Sequence, residues 1–143
     1  MKTTIFIISL FLLAITSVAQ ENWQLLRSEN GIEVYYKNQM CEPEAGFDQE
    51  KIILKVVNTT VVSKTLDWDI HMWYNAVCKT CDVQTGEYHK TISLAANEQQ
   101  QGGCSIYSNF DLCVFVQFTD VNYTGNKQVL TKFELANFLV LDQ

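Results

Sequence analysis

The stretch VVSKTLDWDIHMWY, residues 61–74, decides how the rest of the chain is read. From Leu66 onward its even positions are apolar: Leu66, Trp68, Ile70, Met72 and Tyr74. Ser63, Thr65, Asp67, Asp69 and His71 hold the odd positions, a pattern broken only by Trp73. Side chains on a strand alternate faces, so this spacing predicts a long strand with one face in a core and one toward water. The strand runs on into a Cys-x-x-Cys, Cys78-Lys79-Thr80-Cys81.

Its neighbours read the same way. On the N-terminal side, residues 21–26 form a short entry segment anchored by Trp23, Leu25 and Leu26. Asn30-Gly31 is a turn, and 32–37 is a strand with Ile32, Val34 and Tyr36 inward. A long irregular loop is expected at 38–49, followed by a strand at 50–58 and an Asn58-Thr59-Thr60 turn. On the C-terminal side, a polar loop holds Cys78, Cys81, Asp82 and Gly86. Residues 87–94 form a strand in which Lys90 interrupts an inner face of Tyr88, Ile92 and Leu94. Residues 96–103 read as a polar connection and 104–119 as a long strand with Ile106, Phe110, Leu112, Val114, Val116 and Phe118 on one face. A hairpin turn at 124–127 then leads into a last strand at 129–141.

No helical period occurs outside the first residues, and Val, Thr, Tyr and Phe are abundant, so an all-β domain is expected. About seven strands in a chain of this size fit a single antiparallel two-sheet sandwich, with a small closed β-barrel as the alternative.

The N-terminus carries an address. Lys2, an apolar run at 5–15 and Ser17-Val18-Ala19 describe a signal peptide over residues 1–19, cleaved after Ala19. The apolar run falls short of the roughly 20 residues needed to span a bilayer, so no membrane insertion is expected after cleavage. No cysteine follows the cleavage site, so a lipid anchor is not indicated. Residues 20–143 then form one exported domain, secreted or periplasmic. Cleavage removes one of ten basic residues and none of sixteen acidic ones, leaving a net charge of −7. Such a chain, with Arg27 as its single arginine, is a poor candidate for nucleic acid or anionic membrane surfaces.

Five cysteines, Cys41, Cys78, Cys81, Cys104 and Cys113, lie in the exported part, where pairing is the default and one must be left over. Cys113 sits in the apolar run Leu112-Cys113-Val114-Phe115-Val116 and is expected as a free, buried, inert thiol. The other four allow three pairings; Cys78 with Cys81 and Cys41 with Cys104 is favoured. Strand reversals place Cys104 at the opposite end of a sandwich from Cys78 and Cys81, although the position of Cys41 depends on the 38–49 loop. A zinc set of Cys78, Cys81, Cys104 and a histidine is the competing reading, and it lacks a second Cys-x-x-Cys or a His-x-x-x-His. A thiol redox centre would need Cys78 at a helix N-terminus rather than in a loop between strands.

Histidines occur only at His71 and His89, both at outward parities. With Asp67, Asp69 and Glu87 they would form a hydrated metal or proton-handling patch if their strands are neighbours. Met40, Met72 and a histidine would suit copper, but Met72 falls on the inward face. Trp68, Trp73, Tyr35, Tyr107 and Tyr123 include several rings at outward parities, able to form a platform for a sugar or a protein, or to pack across strands. The candidate ligand face is therefore Asp67, Asp69, His71 and Trp73. The Asn-x-Thr triplets at Asn58 and Asn122 read as turn residues. There is no Gly-x-Ser-x-Gly, phosphate-cradling glycine loop or His-Glu-x-x-His, and no acid pair set apart by an apolar setting, so neither catalysis nor a cofactor or metal is expected.

The run ILKVVNTTVVSKTLDWDIHMWY, residues 53–74, resembles the strand, Asn-Thr-Thr turn, strand of immunoglobulin-like sandwiches in exported bacterial proteins. GIEVYYK at 31–37, CKTC at 78–81, Cys104 and LTKFELANF at 130–138 are similar to small exported proteins of uncharacterised role. The resemblance implies fold and export and no activity, because sandwiches host many functions. Three readings follow: a non-enzymatic exported sandwich binding a protein or glycan partner, a zinc- or copper-handling protein, or a carbohydrate-binding module.

Overall fold

A computed structural model describes residues 22–43, 46–83 and 85–143. The expected signal peptide and its cleavage site lie outside them. The strands are β1 (Gln24–Glu29), β2 (Ile32–Cys41), β3 (Gln49–Asn58), β4 (Lys64–Tyr74), β5 (Val77–Cys78), β6 (His89–Leu94), β7 (Gln99–Gln101), β8 (Cys113–Phe118) and β9 (Leu130–Asp142). One turn of 3₁₀ helix, Phe110–Leu112, precedes β8. All pairings are antiparallel and fall into two sheets that do not close into a barrel.

The first sheet runs β1, β2, β3, with β7 and β8 sharing the far side of β3. Asn30 and Gly31, at φ 49° and 77°, make the two-residue turn that joins Glu29 to its partner Ile32. Positive φ at both positions matches the right-handed twist of the flanking strands. The second sheet is built on β4, which pairs β9 along its whole length on one side, and β6 then β5 on the other.

The even residues of β4 are the centre of the core. Leu66, Trp68 and Ile70 are buried against Ile32 and Val34 of β2, Leu54 and Val56 of β3, Ile92 and Leu94 of β6, and Val114 and Val116 of β8. The odd residues remain half-buried on the outer face. Lys64 also points inward, and its ammonium reaches Asp142 at 2.5 Å, a bond that carries the long side chain out of the core.

Several boundaries differ from the sequence reading. The 38–49 loop is shorter, because β2 and β3 stay in register out to Cys41 opposite Gln49. Residues 61–63 belong to the turn after β3, and Val61 is 83% exposed. The polar 99–101 segment is strand, since the free side of β3 templates it without any need for apolar side chains. The long strand at 104–119 begins only at Cys113. The turn at 104–108, where the Ser108 amide donates to the Ser105 carbonyl, and the Asn109 cap, whose side chain accepts from the Asp111 amide, redirect the chain, so Ile106 and Phe110 face solvent rather than the core. Residues 124–127 are no hairpin turn, because β8 and β9 lie in different sheets and 119–129 crosses between them. Lys90 sits near the start of β6, where its ammonium meets Asp111 at 2.8 Å.

Candidate functional site

Two sulfur bridges are present, and they sit at different places. Cys41 at the end of β2 joins Cys104 in the turn before β8, with Cα atoms 5.4 Å apart. Cys78 joins Cys81, closing the loop beyond β4. The thiolates of the zinc reading are thereby paired, and among the described residues no three of His, Cys, Asp and Glu are arranged to hold a metal ion. Met40 is exposed while Met72 packs against the core, so the two sulfurs of the copper reading do not converge. Cys113 is free but only half-buried. Its neighbours Leu112 and Val114 take the core positions, and its thiol donates toward the Gly103 and Asn109 carbonyls. Burial pushes that thiol up, which disfavours the reactive thiolate.

The outer face of β4 is where the structure gathers the expected ligand residues. Register places Asp69 opposite His89, Asp67 opposite Thr91, His71 opposite Glu134 and Trp73 opposite Lys132. His89 Nδ1 lies 2.9 Å from Asp69 Oδ1, and its Nε2 lies 3.5 Å from Asp67. Thr91 donates to Asp67 as well. Asn137 adds the member that the sequence does not announce. A register shift in β9 opposite Asp67 and Asp69, with Asn137 at φ 51°, turns its amide onto this face to donate to Asp69 Oδ2 at 2.7 Å. His71 Nδ1 stands 3.5 Å from Glu134, whose other oxygen takes Lys132 at 2.8 Å. The Lys132 ammonium in turn lies 4.1 Å over the Trp73 ring.

These contacts set the charges. The Asn137 amide, then the His89 ring, hold the Asp69 carboxyl below the usual carboxylate range. Lys132 does the same for Glu134, with a smaller contribution from His71. Both groups stay ionised and act as acceptors. Because folded Asp69 holds its proton less tightly than the unfolded chain does, its stabilisation is complete above the ordinary carboxylate range. It is lost as pH falls through the depressed value. Asp69→Asn is therefore expected to flatten the acid limb of stability measured by urea unfolding between pH 6 and 3.

Beside this array opens a cleft of about 430 Å³. Asp69, His71, His89 and Asn137 line one side and the loop around Thr80, Cys81 and Val83 lines the other. The loop stands there for a reason in the sheet. Beta6 pairs β4 only as far as Asp69, and β5 starts only at Trp73, so the edge between them lacks a strand. Thr80, between the two cysteines, fills the gap: its hydroxyl accepts from the Met72 amide and donates to the Ile70 carbonyl, both at 2.9 Å. Thr80 is buried, and the Cys78–Cys81 bridge limits the conformations of the segment that carries it. Thr80→Val should cost about 2 kcal/mol, because the two β4 groups lose their partner away from water. A denaturant midpoint unchanged within error would show that water replaces it.

The remaining singled-out rings are dispersed. Trp68 is core. Tyr123 stacks 4.4 Å from Phe118 and 5.2 Å from Phe47 beyond β8, while Tyr107 is 92% exposed in the turn after Cys104. Tyr74 is pushed up to about 12 by burial, then by Tyr88, and its hydroxyl donates to the Phe115 carbonyl at 2.6 Å. Comparison with family models, with curated proteins and with solved structures gives no match. What is shown of its class is the all-β fold of two antiparallel sheets. No helix among the described residues is long and apolar enough to cross a membrane.

Proposed function

We propose that the protein is an exported, non-enzymatic β-sandwich that binds a hydroxyl-rich ligand, such as the end of a glycan, in the cleft beside Asp69 and His71. The observation that carries this reading is the cleft itself. Carboxylate, imidazole and amide groups line one wall, held by each other at 2.7–3.5 Å, and a disulfide-closed loop forms the other. Groups locked before the ligand arrives lose little entropy on binding, and mixed donors and acceptors suit hydroxyls. Trp73 at the end of the array offers a ring edge and a reporter. Export is supported by the N-terminal segment and by the two sulfur bridges, which persist in oxidising compartments. The likeness to immunoglobulin-like exported sandwiches agrees with the two antiparallel sheets.

Calorimetry and tryptophan fluorescence against a panel of neutral oligosaccharides test the reading. Saturable binding that His71→Ala and Asn137→Gly each weaken about tenfold, with both variants still folded at the assay temperature, is the expected result. Binding indifferent to both variants, or none across the panel, would overturn it.

A further inference from the structure

Between Asp69 and Trp73 the edge of β4 is completed by the Cys78–Cys81 loop rather than by a strand. Ile70 and Met72 turn four backbone groups to that edge. The Ile70 amide donates to the Tyr88 carbonyl at 2.9 Å. The loop meets the other three, each at 2.9 Å. Thr80 serves the Ile70 carbonyl and the Met72 amide through its hydroxyl, and the Lys79 amide donates to the Met72 carbonyl. Thr80 is buried in that position, and with Cys81 and Val83 it forms the wall of the cleft. Strand pairing on this side ends at Cys78, so the bridge to Cys81 is what holds the next residues against β4.

The two bridges differ in access. Cys41 is almost fully buried, whereas Cys78 and Cys81 are both only half-buried. The Cys81 amide also donates to Cys78 Sγ at 3.1 Å. An N–H aimed at a sulfur stabilises negative charge on it, which makes Cys78 the better leaving thiolate.

We infer that the Cys78–Cys81 bridge is a redox-sensitive latch, which a dithiol donor opens to release Thr80 from β4 and take down that wall of the cleft. One donor thiolate attacks Cys81 Sγ, forming a mixed disulfide as the bond to Cys78 breaks and Cys78 leaves as thiolate. The donor's second thiolate then displaces Cys81 and closes the donor's own disulfide. Both cysteines take up protons, so two electrons and two protons pass from donor to protein. Freed of the closed ring, the loop exchanges its bonds to Ile70 and Met72 for water, while Cys41–Cys104 still ties β2 to the turn before β8. The consequence for a bound ligand rests on the cleft reading, but the latch itself does not, so its test uses no ligand.

The full exported chain is titrated with dithiothreitol near neutral pH, its thiols mapped by alkylation and mass, and its amide exchange followed by NMR. Cys78–Cys81 is expected to open first, taking the free thiols from one to three. In that species the Met72 amide should exchange about tenfold faster or more, with exchange across β2 unchanged. Thr80→Val should show the fast Met72 exchange before any reduction and gain little from it. Cys41–Cys104 opening first or together with the other bridge would overturn the inference. So would Met72 exchange unmoved in the three-thiol species, or a Thr80→Val variant whose Met72 exchange still waits on reduction.

Discussion

Replacing Cys41 and Cys104 together by serine is expected to lower unfolding free energy by about 4 kcal/mol, and the melting temperature by roughly 15 °C. The bridge spans 63 residues of chain, so its main effect is to deny the unfolded state the freedom of a long loop. It ties the far end of β2 to the turn that leads into β8, two segments that no strand pairing joins. Cys41 is almost fully buried, so the serine hydroxyl there adds a desolvation cost. Opening Cys78–Cys81 by the same substitution should cost only about 2 kcal/mol, since a four-residue loop has little entropy to lose. Guanidinium titrations of the two double variants check the order; equal losses would mean that the unfolded chain is already constrained near Cys41 and Cys104. Thiol titration of the denatured, non-reduced wild type should give one free group, Cys113.

Asn58→Ala is expected to cost about 3 kcal/mol, the second-largest loss. Asn58 is 0% exposed at the end of β3, where the chain leaves one sheet for the other. Its amide nitrogen donates to the Val62 carbonyl at 2.8 Å and the Ala95 carbonyl at 2.9 Å. Its side-chain oxygen accepts from the Thr60 amide at 3.0 Å and the Thr60 hydroxyl at 2.7 Å. Its backbone amide donates to Glu98. One side chain thus pins the β3–β4 turn to the β6–β7 turn, and alanine would strand buried carbonyls without water. Asn58→Asp should be worse still, since it removes both donors and adds a buried charge. Thermal unfolding of the two variants checks this, and a loss below about 1 kcal/mol would show that the turns hold without it. The same burial closes the Asn58 triplet to glycosylation in the folded chain, whereas Asn122 is exposed.

Much of the fold was legible along the chain. Period-two alternation over 64–74, the Asn30-Gly31 turn and the runs at 32–37 and 50–58 are local signals, and strands follow them. The reading failed where a neighbour rather than the local pattern decides. Gln99–Gln101 becomes strand because β3 has a free side. Ile106 and Phe110 share the parity of Val114, yet the turn at 104–108 and the Asn109 cap keep strand from starting before Cys113. A hairpin at 124–127 was plausible from Gly125 and Asn126 alone, but chain chemistry does not say which sheet the next strand joins.

The candidate site divides the same way. Asp67, Asp69, His71 and Trp73 were visible because alternation marks the outward face of a strand. Of their partners only His89 was in view, on the condition that its strand lies beside β4, and it does. His89, Glu134 and Lys132 reach them only through the β4 pairings with β6 and β9, Asn137 only through a shift of register, and Thr80 only because β4 has a gap at its edge. Within β2 and β4 alternation alone set which residues lie in and out of the core, and side-chain chemistry set which cysteines were available to pair. Tertiary structure alone decided which outward residues meet, because cross-strand register is set by long-range hydrogen bonding and packing that no local stretch of chain encodes.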